Sequence, residues 1–301
     1  MKKIGIFSSS VSEYTPQRLF EEGNKIFDEV ILLPFWKTKY SFADKSTKIS
    51  NLKNEKLPFV DALILRGGTF SPFSHHKVVL LDYFRSLGTF ILNGDSLKLW
   101  PNLDKLTQHF ILQHNRIPVI PTLMCSNSTS FIDHCASFPL IVKAVAGSRG
   151  RQVFKINNLD QAKEVLKKFR PWNLLIEPFL PGGEDLRIIV IGGKAIGAMK
   201  RISQSGSYLT NYSAGGKVEN FALESDPVLQ KIAEKTANIF KCDYAGIDLI
   251  KDKDIWRVLE INRDCQFEGF EKATGVNVAQ TLMKFLLTKI GKYDKFRRVE
   301  K

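Results

Sequence analysis

The chain has 301 residues, 44% of them hydrophobic and 25% charged, which excludes a disordered or low-complexity protein and allows two or three lobes around sizeable cores. Its formal net charge of +13 admits an anionic substrate, surface or nucleic acid. The lysines are scattered and no arginine-aromatic module accompanies them, so a solvated surface accounts for the charge and no nucleic-acid partner is expected.

Cys125, Cys135, Cys242 and Cys265 form no CxxC pair and have no histidine cluster at zinc-ligand spacing, so free thiols in a reducing compartment are expected. The apolar run Ile4 to Phe7 is too short for a signal-peptide core, and nothing approaches the roughly 18 apolar residues of a membrane span. A cytoplasmic location is therefore expected.

Strands at Lys3 to Phe7, Glu29 to Leu33, Ala62 to Leu65 and Thr89 to Leu92 alternate with helices near Pro16 to Lys25 and His76 to Leu87. That alternation predicts a parallel α/β unit. Ligands gather at the carboxyl ends of such strands, which makes Arg66, with Gly67 and Gly68 after it, a candidate anion binder as well as a plain turn. Asp95 or Ser96 caps a short helix, and Asp104 opens one running to His114 that carries Lys105 in its first turn, where a cation opposes the helix dipole.

The strand Pro139 to Ala144 feeds Gly147-Ser148-Arg149-Gly150, and the run Gln152 to Ile156 follows. Strand, glycine loop and strand make a flap whose amides can close over phosphates. Lys143 inside an apolar strand needs an anionic partner, because buried lysines are scarce unless paired. After a helix from Asp160 to Phe169 come the strand Leu174 to Glu177 and the rigid segment Pro178 to Gly183, a surface turn or a hinge offering backbone groups to a flat base. Arg187 and Arg201 fall on neighbouring strands, Glu184 to Ile191 and Lys194 to Ile202, from which both can converge on a phosphate or carboxylate. The polar stretch Ser203 to Gly216 is long for a structureless connection, as functional loops are. Helices Pro227 to Phe240 and Val276 to Ile290 have core spacing.

Between those helices, Ala245 to Ile250 and Ile255 to Ile261 form a hairpin about Asp252-Lys253-Asp254. Regular alternation puts Glu260 and Asn262 on one face with Trp256 and Val258, and Leu259 and Ile261 on the other. A three-residue loop would bring Asp248 to the same face, diagonal to Glu260; a loop one residue longer or shorter would turn it away. The hairpin is then either a site for a hard divalent cation, which takes carboxylate, amide and phosphate oxygens, or a pair of strands with solvated charges.

Together these segments resemble the ATP-grasp carboxylate-amine ligases, and most closely the RimK-like branch that adds glutamate or related amino acids to a carboxyl terminus. The resemblance runs from about Asp61 to Ile290 and is strongest in Pro139 to Lys143, Glu184 to Arg187, Ala245 to Asp248, Leu259 to Asn262 and Phe267 to Gly275. It implies an α/β protein with an ATP-grasp fold behind an N-terminal parallel α/β domain, divided as 1–95, 96–175 and 176–301. It implies ATP and magnesium as cofactors, with two ions or manganese in their place, and as partners a small-molecule or peptide carboxylate with an amino acid or other amine. A homo-oligomer is compatible with it.

By position, the resemblance makes Asp248, Glu260 and Asn262 magnesium ligands, and Lys105 and Lys143 the nucleotide phosphate lysines. It makes Gly147, Ser148 and Gly150 the flap, Glu177, Pro178 and Phe179 the adenine hinge, and Asp185 the ribose contact. Arg187, Arg201 and Asn211 would line the reaction centre, with Arg66 and Arg263 towards the substrate. The chemistry implied is attack of a carboxylate on the γ-phosphoryl of ATP, giving an acyl phosphate that an amine converts to an amide. Two arginines common in RimK-like loops are absent from Leu209 to Gly216, whose Ala-Gly-Gly ending is similar to bacterial glutathione synthetases. A small-dipeptide ligase and an inactive ATP-binding regulator are the alternatives, and Arg263 is placed to replace a missing carboxylate anchor.

Overall fold

The computed structural model describes residues 1–43, 46–67, 74–135, 137–147, 152–203 and 216–299, with side chains as far as 291. The expectations for Gly68, Ser148, Gly150 and Asn211 lie outside the described residues.

The N-terminal unit is built from β1 (Lys3–Ser8), α1 (Tyr14–Gly23), β2 (Glu29–Pro34), β3 (Thr38–Ala43), β4 (Ser46–Asn51), β5 (Ala62–Arg66), α2 (Ser74–Ser86), β6 (Phe90–Ile91) and α3 (Gly94–Leu99). Its parallel sheet runs β2-β1-β5-β6, while β3 and β4 form a separate two-stranded sheet. Every residue of β5 is buried, as expected of a strand covered on both faces. The β3-β4 hairpin has no counterpart in the hydrophobic pattern, because most of its positions are exposed and polar.

The middle of the chain supplies α4 (Lys105–His114), α5 (Ser128–Asp133), β7 (Leu140–Ala144), β8 (Val153–Ile156), α6 (Leu159–Lys168) and β9 (Leu174–Pro178), with the antiparallel order β8-β7-β9. The remainder supplies β10 (Glu184–Ile191), β11 (Lys194–Ile202), β12 (Lys217–Phe221), α7 (Pro227–Ile239), β13 (Tyr244–Asp252), β14 (Ile255–Asn262), α8 (Glu268–Thr274) and α9 (Val278–Val299), with the antiparallel order β12-β11-β10-β13-β14.

Leu103, Leu112, Ile117 and Val119 pack with Leu186, Ile188, Ile247 and Leu249, so α4 and its exit share a core with the five-stranded sheet. The opposite face of that sheet, through Ile189, Ile191 and Tyr244, shares a core with Ile4, Ile6 and Leu19 of the N-terminal unit and with Leu282 and Leu286 of α9. β9 pairs with β7, which carries the middle lobe through Pro178. Among the described residues no helix is long and apolar enough to cross a membrane.

Candidate active site

The β13-β14 hairpin closes on a tighter turn than its sequence suggests: Asp252 pairs with Ile255, leaving Lys253 and Asp254 as the loop, with Lys253 at φ 55°. An uninterrupted ladder from that turn would set Asp248 against Leu259 and put Glu260 on the far face. Instead the register shifts between Asp248 and Leu249, so that Leu249 pairs with Val258 and Asp248 with Glu260. Leu259 is the extra residue of a β-bulge, a device that re-aims the side chains beyond it. Val258 and Trp256 accordingly pack with Ile261 on the core side, which corrects the face assigned to them by simple alternation.

The two carboxylates differ in their surroundings. Asp248 is buried and receives Arg187 in a two-pronged pair, Nε to Oδ1 and Nη2 to Oδ2, both 2.7 Å. Arg201 Nη2 lies 3.0 Å from the same Oδ2, and its other contacts are a second fork on Asp185 at 2.6 and 2.8 Å. The register accounts for this ladder, since Arg187 faces Asp248 on the neighbouring strand and Asp185 faces Arg201. Arg187 and Arg201 are therefore held by carboxylates rather than presented singly, and Asp185 by Arg201. Burial works against the Arg187 charge, but Asp248 outweighs it and raises the guanidinium above its ordinary value.

Glu260 is more open. Burial alone would raise its carboxyl, yet the Lys105 ammonium, then the Asn262 amide and Arg187, bring it down to about 2. Asn262 Nδ2 donates to Glu260 Oε1 at 2.8 Å, leaving Asn262 Oδ1 as a ligand atom. Gly246, the residue paired with Asn262, lets Cys265 come close: a Cβ there would stand 2.9 Å from the Cys265 Cβ and Sγ atoms.

This donor set suits a magnesium ion. A carboxylate offers about four lone-pair positions, and the arginine contacts of Asp248 fill three, leaving one beside the open oxygens of Glu260 and Asn262. Two carboxylates and an amide are a thin shell by themselves, as at sites that phosphate oxygens complete.

Both lysines have protein partners. Lys105 begins α4 behind the Asp104 cap, as expected, and its Nζ donates to the Gly147 carbonyl at 2.8 Å while lying 3.5 Å from Glu260 Oε2. Lys143, 6% exposed, meets Glu177 Oε1 at 2.6 Å, so a carboxylate partners this buried lysine. Glu177 and Pro178 end β9, and Phe179 carries the Lys155 ammonium 3.9 Å from its ring centroid, as a cation over an aromatic face.

The two arginines expected towards the substrate have backbone partners. Arg263 is buried with its guanidinium on the Ser96 carbonyl at 2.8 Å and the Pro101 carbonyl at 3.4 Å, which anchors the chain behind β14. Arg66 donates to the carbonyls of Asp264 and Cys265 at 3.1 and 3.2 Å, and Lys77 of α2 grips Asp264 at 2.6 Å. The N-terminal unit thus clamps the turn that follows Asn262.

Sequence reasoning missed Lys77, Gln108 and His109. Gln108 and His109 sit on the α4 face that covers the edge of β14, where Gln108 Oε1 accepts from Ile261 N at 2.8 Å. Their signal was available in part: three and four residues after Lys105, polar residues occupy the helix face turned towards the apolar strand.

The N-terminal parallel sheet, the antiparallel β8-β7-β9 lobe and the five-stranded sheet with its carboxylate hairpin define the class. The fold is that of the ATP-grasp ligases: it superimposes on the ligase PsnB, solved with a variant of its minimal precursor, Mg and ADP, with a TM-score of 0.74 at 18% identity over 95% of this chain and 98% of that one. It also matches the D-alanine-D-alanine ligase of Coxiella burnetii, with a TM-score of 0.66 at 16% identity over 100% and 99% of the two chains. Within that class the chain belongs to the RimK-like ATP-grasp family, whose domain model matches residues 102–286. It is 30% identical to the "Probable alpha-L-glutamate ligase" of Aliivibrio fischeri (strain MJ11) over 94% of this chain and 95% of that protein. It is 29% identical to the protein of the same name from Psychromonas ingrahamii over 94% of each.

Proposed function

We propose that the protein is an ATP-dependent carboxylate-amine ligase that forms an amide through an acyl phosphate, with an amino acid of the glutamate type as the amine. The observation that carries this is Lys105, whose one ammonium spans the base of the glycine loop and the Glu260 carboxylate. A cation fixed between a phosphate-binding loop and a metal carboxylate marks where transferred charge would gather. The names of the curated relatives support glutamate.

The substrate carboxylate takes the γ-phosphoryl of ATP, releasing ADP, and the amine nitrogen then displaces phosphate from the acyl carbon. Glu260 and Asn262, with the remaining position of Asp248, would hold magnesium, which supplies neutralisation of phosphate charge. Lys105 and Lys143 would neutralise the phosphates directly, and the segment Glu177 to Phe179 would seat the adenine. Arg187 and Arg201 hold the Asp248 carboxylate in one orientation and place two positive charges behind it. Among the described residues no serine or cysteine is arranged as an activated nucleophile, and the chemistry asks for none.

Release of ADP and phosphate should be measured against a panel of amino acids, dipeptides and acidic peptides. Turnover that needs both a carboxylate and an amino acid is expected. Tight magnesium-nucleotide binding with no turnover on any pair would favour an inactive regulator instead.

A further inference from the structure

β14 is an edge strand, and the side chains of α4 occupy hydrogen-bonding positions along its open side. Gln108 accepts from Ile261 N, and His109 Nε2 lies 3.1 Å from the Leu259 carbonyl. These two backbone groups flank Glu260, and Leu259 is the bulged residue that turns Glu260 to the site. A carbonyl can only accept, so Nε2 carries the ring proton and, in the neutral ring, Nδ1 accepts. Nδ1 lies 2.7 Å from Thr122 Oγ1 and takes its one hydroxyl proton, which leaves none for Glu177 Oε1 at 3.0 Å, the oxygen that Lys143 holds.

We propose that His109 is a positioning residue, which ties the bulge beneath Glu260 to Thr122, on the segment that pairs with β9 of the glycine-loop lobe, and so sets the metal carboxylate relative to that lobe. The tie crosses between sheets. The segment after α4 follows the same path in its backbone, since Val258 N donates to the Pro118 carbonyl at 2.8 Å and Leu123 and Ile176 exchange hydrogen bonds at 3.0 and 2.8 Å. His109 is 5% exposed, so solvent offers little substitute for its two partners. Burial, and then the Lys143 ammonium, hold its imidazole below the ordinary value, which favours the neutral ring that the hydrogen-bond pattern uses.

The proposal rests on the magnesium-nucleotide reading of the site, and calorimetry on the full chain separates the two. His109→Phe keeps a ring and removes both polar atoms, whereas His109→Gln keeps one donor and one acceptor. His109→Phe should weaken magnesium-ADP binding about tenfold, change metal-free ADP binding much less, and His109→Gln should recover most of the loss. Thr122→Val, which removes only the hydroxyl of the same chain, should weaken magnesium-ADP binding in the same sense and serves if His109→Phe does not fold. Unaltered binding in His109→Phe or in Thr122→Val, a His109→Gln protein as weak as the Phe variant, or equal losses with and without metal would each overturn the proposal. A wild-type protein that binds no magnesium-ADP would defeat the underlying site reading instead.

Discussion

Asp248 and Glu260 stand directly across from each other on β13 and β14, and they do so because Leu259 is bulged out of the ladder between them and the turn. The pair is unequal. Asp248 lies under two arginine side chains, while Glu260, with 29% of its side chain exposed, has a single lysine at 3.5 Å. One carboxylate is committed to holding the sheet's charge ladder, and the other is open to an ion.

Glu260 is therefore the residue whose loss should separate binding from folding. Glu260→Gln keeps the side-chain volume and a carbonyl acceptor. It should leave the thermal midpoint within a few degrees while abolishing the magnesium dependence of ADP binding, compared by calorimetry with and without chelator. Unchanged magnesium dependence would remove Glu260 from the metal site.

Asp248→Asn should behave differently, because it strands Arg187 in a buried setting and leaves Arg201 with Asp185 alone. Removing one partner of a buried ion pair costs about 3 to 5 kcal/mol. Urea denaturation should show a loss of that order for Asp248→Asn. A stability equal to the wild type would mean that the arginines find other partners and that the ladder is not structural.

The strands and helices around this site were legible because their signals are local. Lys143 stands out as a charge in an apolar strand, Asp104 as a cap, and Gly147 to Gly150 as a break between two strands. The Leu259 bulge was not legible, since it adds one residue to an otherwise regular alternation and is specified by tertiary partners: the Gln108 amide, the His109 imidazole and the core beneath Val258. Without the bulge, the face of Asp248 depended on a loop length that the sequence left open. The place of α4 was likewise hidden, because an amphipathic helix announces a buried face but not which sheet will bury it. Arg263 illustrates the limit from the other side: its partners Ser96 and Pro101 are far away in sequence and are brought next to it only by the fold.

His109 gives the stability a pH dependence of known sign. Its folded value is lowered from an ordinary value of about 6.5, chiefly by burial, with Lys143 and Lys105 opposing protonation and Glu177 favouring it. The contribution of the neutral ring is thus complete above the ordinary value and is lost as pH falls through the folded one. The thermal midpoint should fall between about pH 7 and pH 5 more steeply for the wild type than for His109→Gln. Parallel curves would assign the acid sensitivity to other groups.

All four cysteines are free and buried. Burial pushes the Cys242 thiol up to about 12 and raises those of Cys135 and Cys265, so little thiolate is available at neutral pH. A thiol reagent should label none of them rapidly in the native protein and all four in denaturant. Rapid native labelling would show that one of these cores opens readily.

The central claim is that a carboxylate oxygen is phosphorylated before the amide forms, and an isotope experiment tests it most directly. The carboxylate selected by the substrate panel would be prepared with both oxygens as 18O and turned over with ATP and the amine, and the released phosphate analysed by mass spectrometry. Transfer of one 18O atom into each phosphate is the expected result. Amide formation with unlabelled phosphate would contradict the acyl-phosphate account.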